Sequence, residues 1–396
     1  MKKIMILGAS YSLLPLIDAA KRLGYSTVVT SIPGNYPGFS VADEVCYADI
    51  TNPAEVLEAA RKHQVSGIAT CSMDVGLRSQ GYTATQMGLC GPSWEAVQKC
   101  TNKYEMKKAF VKAGVNTAAF VQVRSLEELK EVLEKMCFPV MIKAVDQMGS
   151  RGIFRCDTRE DALRFYPQTM VATKQDYCIV EEFLEGTIFG VEAMVENGRL
   201  VYVLPVSTLL HEGNPPFPMG HAVPWVKGQP FAEKVRKQVE LAVQALGTDN
   251  CPMNFDMMLK DGEIYIIEGT ARAGATGLSQ QVGMYFGVNY YEMIVRLSMG
   301  EEVSSYFQQP PRVCSEVRLL EAKKEGIVEE IIPGTAVGEN LVDLSFNIAP
   351  GDTVCPMTNG RDRIGQVIVK GNSPENCGRF LKEVLERIEV KTKDEQ

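Results

Sequence analysis

An acid and a base follow an apolar strand in the segment YIIEGTARAG, residues 265–274. Tyr265, Ile266 and Ile267 read as buried strand, and Glu268 and Arg272 stand where it ends, among Gly269, Ala271 and Ala273. A surface turn explains the pattern as well as a reaction centre does, because Gly and Ala suit tight connections. Upstream, PMNFDMMLKDGEIYIIEG reads as a β-hairpin with Asp261-Gly262 as a two-residue turn. That register pairs Lys260 with Glu263 and sets Asp256 opposite Ile267, one residue from Glu268. A bulge would bring the two carboxylates onto one face. Two acids held together in apolar surroundings repel unless a cation joins them. Hard oxygen donors suit Mg²⁺, which takes one or two carboxylates and fills its shell from nucleotide phosphates.

A second candidate lies in FPVMIKAVDQMGSRGIF, where an apolar strand carries Lys143. Burying an unpaired ammonium is costly, so Lys143 should meet an anion. The loop that follows, with Gly149, Ser150 and Gly152, offers backbone N–H groups that can cradle phosphate. An edge-strand lysine facing water beside a hairpin is the alternative. The eleven cysteines form no C-x-x-C pair and the chain has only three histidines. This argues against zinc and a thiol nucleophile, and for reduced thiols in a cytoplasmic protein.

The elements that must position these groups alternate at first between strand and helix. KIMILG, YSTVVTS and VSGIATC read as strands. SLLPLIDAAKRLG reads as a helix stopped by Gly24, and NPAEVLEAARKH as a helix capped by Asn52 with Pro53 in its first turn. This is the pattern of a parallel, doubly wound sheet, which binds ligands beyond the carboxyl ends of its strands. The first such end reads GASYSL, which fails the dinucleotide fingerprint. Asp74, after the GIATC strand, faces substrate or caps the next helix.

Residues 101–135 read as two helices, one capped by Thr101 or Asn102, the other opened by a capping box of Ser125 and Glu128. DYCIVEEFLEG is a strand, VEAMVENGRLVYVLPVS a hairpin turning at Asn197-Gly198, and HEGNPPFPMGHAVPW, residues 211–225, a long loop. The tail, 301–396, reads as a small α+β module whose last six residues, KTKDEQ, fray.

A chain of 396 residues predicts two to three domains. A net charge of −8 argues against a nucleic-acid or membrane-surface binder, and no apolar run approaches the ~18 residues of a membrane span. The opening MKKIMILGAS reads as a first strand rather than a signal peptide, its apolar run being too short.

The order of these features resembles that of the ATP-grasp superfamily over essentially the whole chain, in the style of the L-amino-acid ligase, biotin carboxylase and aminoimidazole ribonucleotide carboxylase branch. The resemblance implies α/β and α+β architecture in three parts. Residues 1–100 form an N-terminal doubly wound domain. Residues 101–300 form a two-lobed nucleotide clamp, with lobes of about 101–184 and 185–300. Residues 301–396 form a small C-terminal α+β module.

It implies that Lys103, in TNKYEMKKAF, and Lys143 meet ATP phosphates, and that Gly149, Ser150 and Gly152 belong to the loop that covers them. Glu181, Glu182, Phe183 and Leu184 become the hinge that reads adenine, largely through the backbone, with Met258 under the base. Asp256 and Glu268 become the acids bridging one or two Mg²⁺ ions, for which Mn²⁺ can substitute, and Arg272 the arginine that stabilises a reacting acyl phosphate. Two positions depart from the family pattern. Ile188 stands where a glutamate often meets the ribose, leaving Glu185 or Glu192 as substitutes. Thr270 replaces the asparagine of E-x-N-x-R, as a shorter metal ligand.

The implied activity is ATP-dependent joining of a small carboxylate and an amine, such as amino acids, through an acyl phosphate. A bicarbonate-activating carboxylase and a non-catalytic ATP-binding regulator are the alternatives. His221 and the 211–225 loop are candidates for the substrate wall, Arg318 reaches it from the tail, and a homodimer follows by analogy.

Overall fold

The computed structural model describes residues 1–213, 216–308, 313–334, 338–360 and 362–393. The chain divides into two compact units. The first comprises Met1–Pro205, Val226–Ala275 and Val288–Gln309, and the second Val206–Trp225, Thr276–Gly287 and Pro310–Gln396.

The first unit opens with a four-stranded parallel sheet in the order Glu44–Tyr47, Ser26–Ser31, Lys3–Leu7, Gly67–Ala69. Ile4, Met5, Ile6 and Leu7 are all buried, as expected where helices cover both faces. Lys3–Leu7 lies between its partners, so chain crossovers leave it in both directions and the carboxyl ends open at a switch point. Asp74 follows the last of these strands. The helices begin and end where local chemistry predicts: Asn52 accepts from Ala54 and Glu55 N–H with Pro53 behind it, and Leu14–Arg22 stops before Gly24 at φ +80°.

A four-stranded antiparallel sheet follows, ordered Phe120–Val123, Cys178–Glu182, Val140–Lys143, Ile153–Cys156. Helices Leu126–Leu133 and Arg159–Ala172 pack against it over Val123, Leu129, Ile142 and Val180. Ser125 caps the first of these helices through Glu128 N–H, but the Glu128 carboxylate returns to Arg124 N–H, one residue short of the reciprocal bond of a capping box. Asn102, not Thr101, caps Lys103–Ala113.

The remaining long strands of the first unit run in the order Glu263–Thr270, Cys251–Lys260, Thr187–Glu196, followed by the strand that starts at Arg199. Asn197-Gly198 and Asp261-Gly262 all have positive φ, the two-residue turn that matches strand twist. Along Cys251–Lys260, Met253, Phe255 and Met257 are buried in the core, while Asn254, Asp256 and Met258 point to the opposite, half-buried face.

In the second unit, Phe217–Val223, Cys314–Leu320, Gly365–Gly371 and Leu341–Phe346 form antiparallel neighbours in that order, and helix Pro374–Leu385 covers Val367 and Val369 with its Cys377, Leu381 and Val384. Two expectations are corrected here. The 211–225 segment is not one long loop: Phe217–Val223 is a strand paired with Ser207–His211 on one side and with Ser315–Arg318 on the other. Its Pro218 is tolerated because the ladder shifts register between Leu209 and Leu210. The chain end is not frayed through Lys391–Lys393, which close a strand, Glu389–Lys393, against Gly326–Ile332. Residues 394–396 and 214–215 lie outside the described residues. Among the described residues no helix is long and apolar enough to cross a membrane.

Candidate active site

The Asp261-Gly262 turn sets Lys260 opposite Glu263, and a bulge at Ile267 shifts the register thereafter, so that Asp256 pairs directly with Glu268. The bulge thus places both carboxylates on one face. Across the other edge, Asp256 faces Gly190, which has no side chain to fill the space in front of it. Burial lifts the Asp256 carboxyl, and the Glu268 charge lifts it further, to about 7. Among the described residues no three His, Cys, Asp or Glu side chains gather as a closed metal cage. Two facing carboxylates, one of them holding its proton too tightly, fit a divalent ion that keeps most of its shell for phosphate oxygens and water.

Lys103 Nζ lies 3.0 Å from Glu268 Oε2 and donates to the Gln147 carbonyl at 2.9 Å. Burial works to lower Lys103, but Glu268 and Asp74 outweigh it and leave the ammonium more firmly protonated. Lys143 is buried at the end of its strand and does meet an anion: Glu181 Oε2 at 2.7 Å. Glu181 is shared. Lys107, buried one helical turn after Lys103, approaches its other oxygen at 3.3 Å and donates to Thr117 at 2.7 Å. Burial alone would raise Glu181, yet the two lysines hold it below the usual carboxylate range, while burial lowers Lys107. The Glu181 side chain is therefore a counter-ion inside the protein. In the segment expected to form the hinge, Glu182 and Phe183 N–H donate to the Ala119 and Pro139 carbonyls at 3.0 and 3.3 Å, and Leu184 is buried. Met258 pairs with Ile188 on the neighbouring strand. Gly149, Ser150 and Gly152 all have positive φ in the connection between Val140–Lys143 and Ile153–Cys156.

Arg272 is held as a fork on Asp74, with Nε to Oδ1 at 2.8 Å and Nη2 to Oδ2 at 3.0 Å, and Thr270 Oγ1 donates to Asp74 Oδ1 at 2.7 Å. Burial alone would raise Asp74, but Arg272 outweighs it and the carboxyl stays below its ordinary range. Asp74 is thus the acceptor that fixes Arg272 and Thr270. Its side chain does not cap the next helix, where Leu77 N–H bonds the Asp74 backbone carbonyl instead. Ser72 N–H donates to the Ala273 carbonyl at 3.2 Å, a second stitch between the two loops.

Sequence reasoning missed Asn254 and Lys107 and misplaced Glu192. Glu192 is fully buried with both oxygens engaged, by Asn254 Nδ2 at 2.7 Å and Gly274 N–H at 3.1 Å, so it has nothing to offer a ribose. A glutamate inside the apolar run FGVEAMV carried the same signal as Lys143 in its strand. Lys107 shares a helix face with Met106 and Phe110, both buried, which marks it as inward-facing. His221 and Arg318 belong to the second unit. His221 is buried on a strand, its imidazole pushed down to about 4 by burial against a partial offset from the Ser207 carbonyl. Arg318 lies 3.5 Å from Glu316 in an open hollow of about 430 Å³ that Lys323 and Lys382 also line.

Comparison with known proteins gives two family models. Residues 101–211 match the phosphoribosylglycinamide synthetase ATP-grasp (A) domain, and residues 318–393 match L-amino acid ligase C-terminal domain 2. A solved phosphoribosylglycinamide synthetase from Anaerococcus prevotii is 36% identical, with a TM-score of 0.84, over 99% of this chain and 100% of that one. An L-amino acid ligase structure from Bacillus licheniformis, 20% identical, superposes with a TM-score of 0.83 over 100% and 99% of the two chains. The carbamoyl phosphate synthase large chain of Thermotoga neapolitana is 24% identical over 81% of this chain, which spans only 31% of that protein's length. Fold, site face and full-length similarity agree: the chain belongs to the ATP-grasp superfamily of carboxylate–amine ligases.

Proposed function

We propose that the protein joins a small carboxylate, such as an amino acid, to an amine through an acyl phosphate, with release of ADP and phosphate. The observation that carries the reading is the single face on which Asp256 and Glu268 meet, Lys103 pairs with Glu268, and Arg272 is locked to Asp74.

In the first step a substrate carboxylate oxygen attacks the γ-phosphorus of ATP and the bond to ADP breaks. In the second, the amine attacks the acyl carbon, the C–O bond to phosphate breaks and the nitrogen loses a proton. Each ammonium has three N–H donors, so Lys103 and Lys143 keep their carboxylate partners and still have donors for phosphate oxygens. Asp256 and Glu268 would hold Mg²⁺, which supplies charge neutralisation on the transferring phosphoryl group. Gly149, Ser150 and Gly152 close over the phosphates, Leu184 and Met258 flank the base, and Arg272 neutralises the acyl phosphate. Thr270 serves this reading chiefly by holding Asp74. The division at residues 100 and 300 assigns the first part to substrate and the second to nucleotide. Eleven cysteines without disulfides suit a cytoplasmic enzyme, and a homodimer completes the proposal.

The test is ADP and phosphate release from Mg-ATP with amino acids offered singly and in pairs, against Glu268→Gln as control. Release that requires two amino acids, with a product of their condensation mass, is expected. Release with bicarbonate alone would replace the reading with carboxylation. ATP binding without turnover for any acceptor would refute catalysis.

A further inference from the structure

Arg272 is gripped on two sides. Asp74 holds Nε and Nη2, while Nη1 donates to Asn254 Oδ1 at 3.2 Å. Asn254 in turn donates Nδ2 to Glu192 Oε1 at 2.7 Å, and the two residues are direct cross-strand partners. The other Glu192 oxygen accepts Gly274 N–H at 3.1 Å, two residues beyond Arg272. An arginine can only donate, so its partner on Asn254 is the carbonyl oxygen, and the Asn254 NH₂ is left for Glu192, whose two oxygens each receive an N–H. We infer that Glu192 is a positioning residue for Arg272: it turns the Asn254 carbonyl toward the guanidinium and pins the backbone that follows. The inference rests on the reading of Arg272 as the group that meets the acyl phosphate.

A fully buried carboxylate is an expensive way to make two hydrogen bonds unless both must be accepted. Glutamine has the same shape but only one accepting oxygen. If that oxygen serves Asn254, the glutamine NH₂ faces Gly274 N–H. If it serves Gly274, Asn254 must flip and set its own NH₂ against Arg272. Either way two donors confront each other beside the guanidinium.

The test is a double-mutant cycle of Glu192→Gln with Arg272→Lys, read as kcat and as KM for ATP. Glu192→Gln should lower kcat about tenfold or more with KM for ATP within about twofold, and should cost less than about twofold in the Arg272→Lys background. The same fold loss in both backgrounds, or a change confined to KM, overturns the inference. If Glu192→Gln does not fold, Asn254→Ala carries the same cycle. Crystals of Glu192→Gln give a readout independent of turnover. Loss of the Arg272 Nη1 to Asn254 Oδ1 bond is expected, and its survival overturns the inference even if the protein proves not to be a ligase.

Discussion

Binding of Mg-ATP should expel a proton from Asp256. The carboxyl is lifted from 3.8 to about 7 by burial and by the Glu268 charge opposite it. A group with that affinity is about half protonated at pH 7, and a cation bound between the two acids requires the bare carboxylate. Binding should therefore release about 0.5 proton per site at pH 7, about 0.9 at pH 6 and about 0.1 at pH 8. Calorimetric titration in two buffers of different ionisation enthalpy counts these protons. Glu192 is also lifted to about 7, so the decisive quantity is the difference between wild type and Asp256→Asn. The same group sets a stability slope. Asp256 binds its proton more tightly folded than unfolded, so its contribution favours folding fully below about 3.8 and is lost as pH rises through about 7. The span of about three pH units bounds the effect at about 4 kcal/mol. Ligand-free Asp256→Asn should then be more stable than wild type at pH 8 while losing Mg-ATP affinity. Equal proton release from both proteins, or an Asn variant less stable than wild type at pH 8, would refute the reasoning.

Three further outcomes are expected. Asp74→Asn leaves an arginine donor facing an amide, which should cost about 1–3 kcal/mol in urea unfolding and lower kcat; unchanged stability would show that the fork contributes nothing. Lys107→Met strips one of the two lysines from buried Glu181, so stability should fall by about 3 kcal/mol and KM for ATP should rise as Lys143 becomes the sole counter-ion; wild-type values for both would place Lys107 outside the nucleotide site. Gly269→Ala sets a methyl group 2.5 Å from two ring carbons of Phe255 and should lower stability by about 1–3 kcal/mol in thermal unfolding, whereas a neutral change would mean that the ring yields.

The features legible in the sequence were those decided within a few residues. The Asn52 cap, the Gly24 stop and both two-residue hairpin turns follow from local donors, acceptors and backbone freedom. The Asp256–Glu268 pairing was half legible: the turn fixes the register, but the extra residue at Ile267 is a property of the folded strand and not of the composition around it. Partners that face each other across strands distant in sequence were not legible. Glu192 and Asn254 are 62 positions apart, and nothing near either residue names the other. The 211–225 segment misled for a different reason: its prolines and glycines read as loop, while an extra residue, Met219, shifts the ladder beside Pro218 and makes it compatible with pairing.

Asp74 and Arg272 are separated by 198 positions, and among the described residues no other cation forms an ion pair with Asp74. During synthesis Asp74 precedes its arginine by about 10–40 s at ordinary elongation rates. One side of the parallel sheet of the first hundred residues, around Met5, Leu7, Val28 and Ile68, can collapse in that interval, because its partners are local to it, whereas helix Tyr290–Ser298, which packs on helix Leu14–Arg22 and strand Gly67–Ala69, is made only after Arg272. The loop after the sheet's last strand cannot collapse, since its carboxylate must stay in water until the guanidinium arrives. The nascent chain therefore carries a half-covered base with an unfinished rim, and the strand-end loop gains its buried counter-ion only when the hairpin that bears Arg272 has emerged and docked.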